Sequence, residues 1–176
     1  MNKKTLWITR TAIFLALLVA GQYLTKPAGQ LITGSAVNFV LITAALTAGV
    51  YSAGTVAVLS PIFAAMAGIA PNWALVPYIA LGNLVLVVLV YLIASQKYKG
   101  AALRMTMSAV GVVVGAAAKC GILMFGVATF VAPTMPEAGA ANMLKIFAFT
   151  SQMPTALIGG AIAVIIAPVI KKAVLR

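Results

Sequence analysis

The feature that most constrains this chain is a series of long apolar runs separated by short polar or basic connections. Hydrophobic residues make up 64% of the 176 positions and charged residues only 7%, so the apolar surface cannot be hidden inside a water-soluble core. A helix needs roughly 20 apolar residues to cross the hydrocarbon core of a bilayer, and the length therefore allows about six spans. No room remains for a soluble catalytic or nucleotide-binding domain.

The runs and their punctuation predict an all-α, polytopic membrane helix bundle that forms one integral-membrane domain over residues 1–176. A glycine-bounded turn, Gly49 to Gly54, separates the second span from the third, and Pro71-Asn72 separates the third from the fourth. The longer connections 25–35 and 132–145 are typical of loops that fold over a site. The six predicted spans cover residues 6–24, 36–50, 53–69, 73–95, 105–131 and 146–170.

The basic residues test this scheme, because positive charge concentrates on the cytoplasmic side of membrane proteins. With six spans and a cytoplasmic amino terminus, only Lys26 and Lys145 fall outside. Topology thus explains the net charge of +11 better than nucleic-acid binding does, and it predicts both termini in the cytoplasm. In a five-span alternative, spans two and three form a hairpin that does not fully cross the membrane. The basic connection at residues 97–104 would then lie outside the cell. The inner nine cations are Lys3, Lys4, Arg10, Lys97, Lys99, Arg104, Lys171, Lys172 and Arg176.

A stripe of small residues runs along the first span at four-residue spacing: Ala12, Ala16 and Ala20. This spacing stacks the side chains on one helix face, where a second helix can approach closely. The second helix can belong to a partner subunit or to the same bundle. Gly111 and Gly115, four residues apart in the fifth span, make a second such face.

Uncommon polar and aromatic residues cluster on the predicted outer side and predict a pocket that opens outward. The candidate substrate-binding residues are Lys119, Asn83, Gln152, Tyr78, Trp73, Asn72, Asn38 and Gln22. Asn83 serves equally well in an interhelical hydrogen bond, and Trp73 in an interfacial aromatic belt. Gln152 precedes a proline within a span, and such irregular backbone persists where protein or a water-filled cavity covers it.

Lys119 is the sharpest single candidate because it lies deep in a segment of small residues. A lysine at mid-membrane costs on the order of 2.5 to 3.5 kcal/mol on translocon scales, and it usually faces the bundle interior with a partner. That partner is not a carboxylate, because the only acid in the chain, Glu137, lies in a predicted outer loop. Three explanations remain: an anionic or carbonyl-bearing ligand, a neutral amine bonded to Asn83 or Gln152, or snorkelling to the interface.

Several residue types that other functions require are missing. Zero histidines and one cysteine, Cys120, leave no sensible transition-metal site. No span carries a carboxylate that could couple transport to protons or sodium. A phosphate-binding loop and a nucleophile–base pair are also missing, so we expect neither an enzyme nor a cofactor. The pattern indicates a binding subunit that cannot energise transport by itself.

The six predicted spans, the Ala12-x-x-x-Ala16-x-x-x-Ala20 motif and the outward pocket resemble the S components of energy-coupling factor (ECF) vitamin transporters. The resemblance implies that the alanine stripe docks onto a transmembrane T subunit coupled to two cytoplasmic ATPases. It further implies that the chain captures a substrate from outside and delivers it across a cell membrane. We expect this membrane to be the bacterial cytoplasmic membrane.

The departures from this family narrow the substrate. The amino-terminal histidine of the nickel and cobalt members is missing, and no span offers a carboxylate for a thiamine-like cation. We therefore expect a neutral or anionic water-soluble vitamin or related metabolite, with pantothenate-, pyridoxine-, flavin- and nucleoside-like ligands all open. The alternative is a self-sufficient small carrier or channel, formed by a homo-oligomer through Gly111 and Gly115. A third class, a membrane scaffold without a ligand, is also open.

Overall fold

The computed structural model describes residues 2–69 and 72–174, so Pro71 and Arg176, both used above, lie outside the described residues. Within that part of the chain the fold is all-α and contains no strand, which confirms the predicted fold class. A π-helical segment, Val127–Val131, continues the fifth helix. The seven described α-helices are α1 (Lys3–Thr25), α2 (Gln30–Thr47), α3 (Val50–Met66), α4 (Val76–Ala94), α5 (Ala101–Gly126), α6 (Glu137–Phe147) and α7 (Phe149–Val174).

Five helical segments of the described chain are long and apolar enough to cross a membrane, and they contain α1, α2, α4, α5 and α7. The sixth long helix, α3, has 17 residues and is also apolar. At a rise of 1.5 Å per residue it spans about 26 Å, near the lower limit for crossing a bilayer. The chain is therefore a membrane protein built as a helical bundle.

The six long helices form a closed ring in the order α1, α2, α7, α5, α4 and α3, with α2 also reaching α4. Leu41, Val56, Leu86 and Val112, from four different helices, belong to one buried apolar cluster that joins the ring. Short connections make successive helices antiparallel. The cations of the α4–α5 connection and of the end of α7 share one end of the bundle with the start of α1. We call this the basic end.

Two predicted connections are shorter than expected. Helix α2 begins at Gln30, six residues before the predicted start at 36, and the turn before α3 is confined to Ala48 and Gly49. Gly49 has a φ of +90°, a conformation that favours glycine, and it alone provides the reversal expected over residues 49–54. Helices α2 and α3 form an antiparallel pair in the ring, and α3 is the one long helix of the described chain that falls short of the length of the five candidate spans.

The connection 132–145, expected as a loop, is largely the short helix α6. This helix buries Met143 and Phe147 in a second apolar cluster with Leu75, Val127 and Val131. One buried side of an otherwise exposed helix is sufficient to hold α6 across the end of the bundle opposite the basic end. We call that opposite end the pocket end.

The glycine pair of α5 contacts α4 inside the chain. A Cβ atom added at Gly115 would lie 3.0 Å from the backbone oxygen of Leu86, and one added at Gly111 would lie 3.3 Å from the Cα of Val90. Both glycines are buried between these two helices. The pair is therefore an internal packing contact, and it is not available as the homo-oligomer face considered above.

Candidate functional site

A cavity of about 170 Å³ opens at the pocket end of the bundle, and all seven helices contribute to its lining. The lining grades from exposed residues, Lys26 and Gln30, to the buried side chains of Asn83 and Lys119. Five of the eight candidate substrate-binding residues meet here: Gln22, Asn38, Asn83, Lys119 and Gln152. The structure thus brings together polar groups from α1, α2, α4, α5 and α7.

Lys119 lies in the deep part of this cavity, where α5 packs against α4. Its side chain is only 4% exposed. Gly82 makes room for it, since a Cβ atom at that position would lie 3.2 Å from the Cγ of Lys119. The amine Nζ donates a 2.6 Å hydrogen bond to Oδ1 of Asn38 on α2. The protein partner of Lys119 is therefore Asn38, and not Asn83 or Gln152, the two partners that one of the three explanations had named.

The Lys119–Asn38 bond begins a directed chain of hydrogen bonds. Nδ2 of Asn38 donates to Oγ1 of Thr155 at 3.2 Å, and that hydroxyl donates to the backbone oxygen of Gln152 at 2.7 Å. The direction of each bond fixes the amide orientation of Asn38, with its oxygen toward the amine. The chain links α5, α2 and α7, so the position of the amine depends on three helices.

Gln152 holds the junction between α6 and α7. Its Nε2 donates to the backbone oxygen of Ile146 at 2.8 Å, and Oγ of Ser151 donates to the backbone oxygen of Lys145 at 2.8 Å. These are carbonyls of the last helical turn of α6, which lack partners within that helix. The irregular backbone predicted near Gln152 is this helix break, and its side chain stabilises the break while lining the cavity.

Two side-chain oxygens in the cavity lining have no partner. Oδ1 of Asn83 and Oε1 of Gln22 are buried and accept no hydrogen bond from the described residues. A buried acceptor without a donor carries a desolvation cost of about 1–3 kcal/mol. Both residues line the cavity with Lys119, and rotation of either amide toward the cavity would let a bound molecule supply the missing donor.

The mouth of the cavity carries positive charge. Nζ of Lys26 donates a 2.8 Å hydrogen bond to the backbone oxygen of Gly68, which joins the ends of α1 and α3. Gly29 and Gln30, at the N-terminus of α2, line the same mouth, and no side chain caps that terminus within the described structure. The amino end of a helix dipole and a lysine both favour anions.

Three predicted candidates lie outside this cavity. The ring of Tyr78 stacks on Phe130 with centroids 5.7 Å apart and packs on Gly126. Asn72 accepts a 2.9 Å hydrogen bond from the backbone N–H of Ala74, and Trp73 is 59% exposed. The structure therefore gives Tyr78 a packing role and Asn72 a turn-forming role, and it does not bring them to Lys119.

Sequence reasoning missed several polar residues that the structure places at the site, including Gln30 at the cavity mouth. Thr33 and Ser60 line the cavity, and Thr155 orients Asn38. Hydroxyl side chains are common in membrane helices because they can bond to their own helix backbone, so they gave no distinctive signal. Thr155 follows Gln152 by three residues, which was the one available clue that both lie on one face of α7.

In the described part of the chain no three His, Cys, Asp or Glu side chains lie close enough together to hold a metal ion. Glu137 is exposed on α6 and does not line the cavity. The Lys119 amine is therefore held in this cavity without a carboxylate beside it. The arrangement can bind a molecule through an amine donor, amide groups and apolar walls.

The alanine stripe lies away from the cavity on the outer surface of the bundle. Ala12, Ala16 and Ala20 are all exposed, while Thr11 and Leu18 on the other side of α1 are buried. Helix α1 packs on α2 and α3 only through that buried side. The stripe is thus an uncovered face of small residues, and it does not serve packing within the bundle.

Fold and site together define a polytopic helical membrane protein with a polar, cationic cavity at one end. A scan against family models, a search of curated proteins and a search of solved structures find no match to this chain. Its function is therefore argued from the site itself.

Proposed function

We propose that this chain is the substrate-binding S component of an ECF-type importer, which captures a neutral or anionic water-soluble metabolite from outside the cell. The observation that carries the proposal is a cavity within a membrane protein whose buried lining includes Lys119, bonded to Asn38, and Asn83, whose side-chain oxygen has no partner among the described residues. Buried ionisable groups in membrane spans mark ligand sites by default. The cavity opens at the end that the charge bias places outside.

The exposed alanine stripe supports the second half of the proposal, which is docking onto a transmembrane T subunit. Close approach between membrane helices requires small residues on the contact face, and this face is uncovered in the isolated chain. The chain also lacks a carboxylate in any span that could couple uptake to an ion gradient. The energy for uptake would therefore come from two cytoplasmic ATPases, which the T subunit joins to this chain in the cell membrane.

The test is assembly with the T subunit and ATPases encoded in the source genome. We expect the wild-type chain to co-purify with them and Ala16→Trp to lose this association, because the indole prevents close helix approach. Ala117→Trp is the matched control: Ala117 is exposed on α5, away from the stripe, and its replacement should leave assembly intact. Both variants should keep the wild-type unfolding temperature.

Two results would contradict the proposal. If the Ala16→Trp variant still assembles with the T subunit and the ATPases, the stripe is not the docking face. Uptake of a substrate by the purified chain alone in vesicles, without ATP or partners, would favour a self-sufficient carrier.

A further inference from the structure

We infer that the ligand of this cavity is a small organic monocarboxylate that also carries a hydroxyl or N–H donor. The inference rests on the proposed function, since it assigns the substrate class of the same site. It narrows the range left open by the sequence, which included flavin- and nucleoside-sized molecules.

The anionic group is assigned from the bonding of Lys119. An amine has two N–H donors when neutral and three when charged, and one of them goes to Asn38. At least one donor is thus free for a ligand in the cavity. Asn38 contributes an amide dipole and no charge, and the chain offers no carboxylate nearby. A ligand carboxylate supplies the missing negative charge.

A carboxylate suits the cavity better than a phosphate does. Lys119 is the one cation among the buried lining residues, and Lys26 at the mouth is exposed and bonded to Gly68. A phosphate monoester carries close to two charges and three acceptor oxygens, for which proteins usually supply arginine or several backbone donors. The lining contains no arginine. One amine matches one carboxylate.

The donor on the ligand is assigned from the two unpartnered oxygens. Oδ1 of Asn83 and Oε1 of Gln22 are both buried in the cavity lining, and each can only accept a hydrogen bond. A ligand that offered a carboxylate alone would leave both oxygens unsatisfied. A hydroxyl, amine or amide N–H on the same molecule satisfies at least one of them.

The size of the ligand follows from the cavity volume of about 170 Å³. A cavity of about 150 Å³ accommodates one benzene ring, so this one accommodates roughly six to ten non-hydrogen atoms. Ile79, Leu123 and Phe147 provide apolar walls for the body of such a molecule. A three-ring flavin or a nucleoside would not fit wholly within this space and would have to project through the mouth.

The experiment measures binding of matched probes to the purified full chain by calorimetry in detergent. The probes are hydroxy- and amino-carboxylates from lactate to 4-hydroxybenzoate, each beside its primary amide and its analogue without the hydroxyl or amino group. We expect at least one carboxylate with a donor to bind, with its amide and its donor-free analogue each at least tenfold weaker. Mass spectrometry of compounds retained on the chain provides an independent readout of ligand class.

Variants separate the contact between Lys119 and the ligand carboxylate from the contact between the ligand donor and an amide oxygen. Lys119→Met should lower the affinity for the bound carboxylate at least tenfold. At least one of Asn83→Leu and Gln22→Leu should remove the difference between that probe and its donor-free analogue while the preference for carboxylate over amide persists. The control is Asn142→Leu, at an exposed position of α6 outside the cavity, which should change neither preference. Unfolding temperatures establish that each variant is folded.

The outcomes distinguish this inference from the proposed function. Equal binding of acids and amides, or a retained compound that is neutral or flavin-sized, would overturn the inference and leave an S component with another substrate. A chain that binds no probe and retains no compound would overturn the inference, whereas the proposed function is decided separately by co-purification with the T subunit and the ATPases.

Discussion

Lys119 on α5 and Asn38 on α2 are joined by a 2.6 Å hydrogen bond in the interior of the bundle. Both side chains are at least 96% buried, and neither has a carboxylate beside it. An amide oxygen orients an amine but does not neutralise its charge. The pair therefore fixes where the amine points, and it leaves the site attractive to an anion.

Replacement of Asn38 tests this orienting role. Asn38→Leu removes the acceptor for Lys119 and the donor for Oγ1 of Thr155, and both groups then stay buried without that partner. We expect the free energy of unfolding to fall by about 1–3 kcal/mol. The measurement is a denaturation titration in detergent, followed through the helical circular dichroism signal.

A double-mutant cycle provides the control for that prediction. In the Lys119→Met background no amine needs an acceptor, so Asn38→Leu should cost measurably less than it does in the wild type. Equal costs in the two backgrounds would show that Asn38 stabilises the fold only through Thr155 and packing.

The glycine pair of α5 gives a second prediction about the bundle. Gly115→Ala places a Cβ atom 3.0 Å from the backbone oxygen of Leu86, and backbone cannot move aside cheaply. We expect α4 and α5 to separate slightly and the stability to fall by about 1–3 kcal/mol. Gly121→Ala is the matched control on the same helix, because nothing lies within 4 Å of its added Cβ.

The readouts for these two variants are unfolding free energy and size-exclusion mass. Gly115→Ala should lower the first and leave the second unchanged, while Gly121→Ala should lower neither. A change in mass with unchanged stability would instead return the glycine pair to an interface between copies of the chain.

The helices and the main cation of the site were predictable from sequence, for a physical reason. Hydropathy reports the length of apolar runs directly, and a lysine in such a run must face protein. The start of α2 was not predictable in the same way. Residues 30–35 include Gln30 and Thr33, and such polar residues are typical of a loop. They are nevertheless helical, because they face the polar cavity.

The partner of Lys119 was likewise not readable from the chain. Asn38 and Lys119 are 81 positions apart, and their pairing depends on the register of α2 against α5. That register is set partly by close packing of α7 between them, where Gly159 contacts backbone of α2 and Gly160 contacts Val112. Small-residue contacts of this kind show in coordinates, whereas the sequence shows only that the glycines exist.

Tyr78 provides a prediction that separates packing from binding. Its ring contributes to the second apolar cluster, stacked on Phe130 and outside the cavity lining. Tyr78→Phe keeps the ring, so it should change neither stability nor ligand affinity appreciably. Tyr78→Ala should lower the unfolding free energy, but by less than the roughly 3–5 kcal/mol that loss of a fully buried aromatic ring costs, because this ring is only partly buried.

A loss of ligand affinity in Tyr78→Phe would contradict this assignment. The variant retains the stacked ring and removes only the hydroxyl, so such a loss would mean that the hydroxyl reaches the ligand. The measurement is the same calorimetric titration with the carboxylate probes, run beside the denaturation series.

The orientation of the bundle is the last prediction, and it rests on the nine-to-two distribution of cations in the sequence. With Cys120→Ala as background, single cysteines replace Lys99, near the basic end, and Lys145, on α6 at the pocket end. In intact bacterial cells a membrane-impermeant maleimide should label Lys145→Cys and should not label Lys99→Cys. Disruption of the membrane should make both sites reactive, because both positions are exposed. The reverse labelling pattern would place the cavity mouth in the cytoplasm, and capture of a substrate from outside would then be impossible in this conformation.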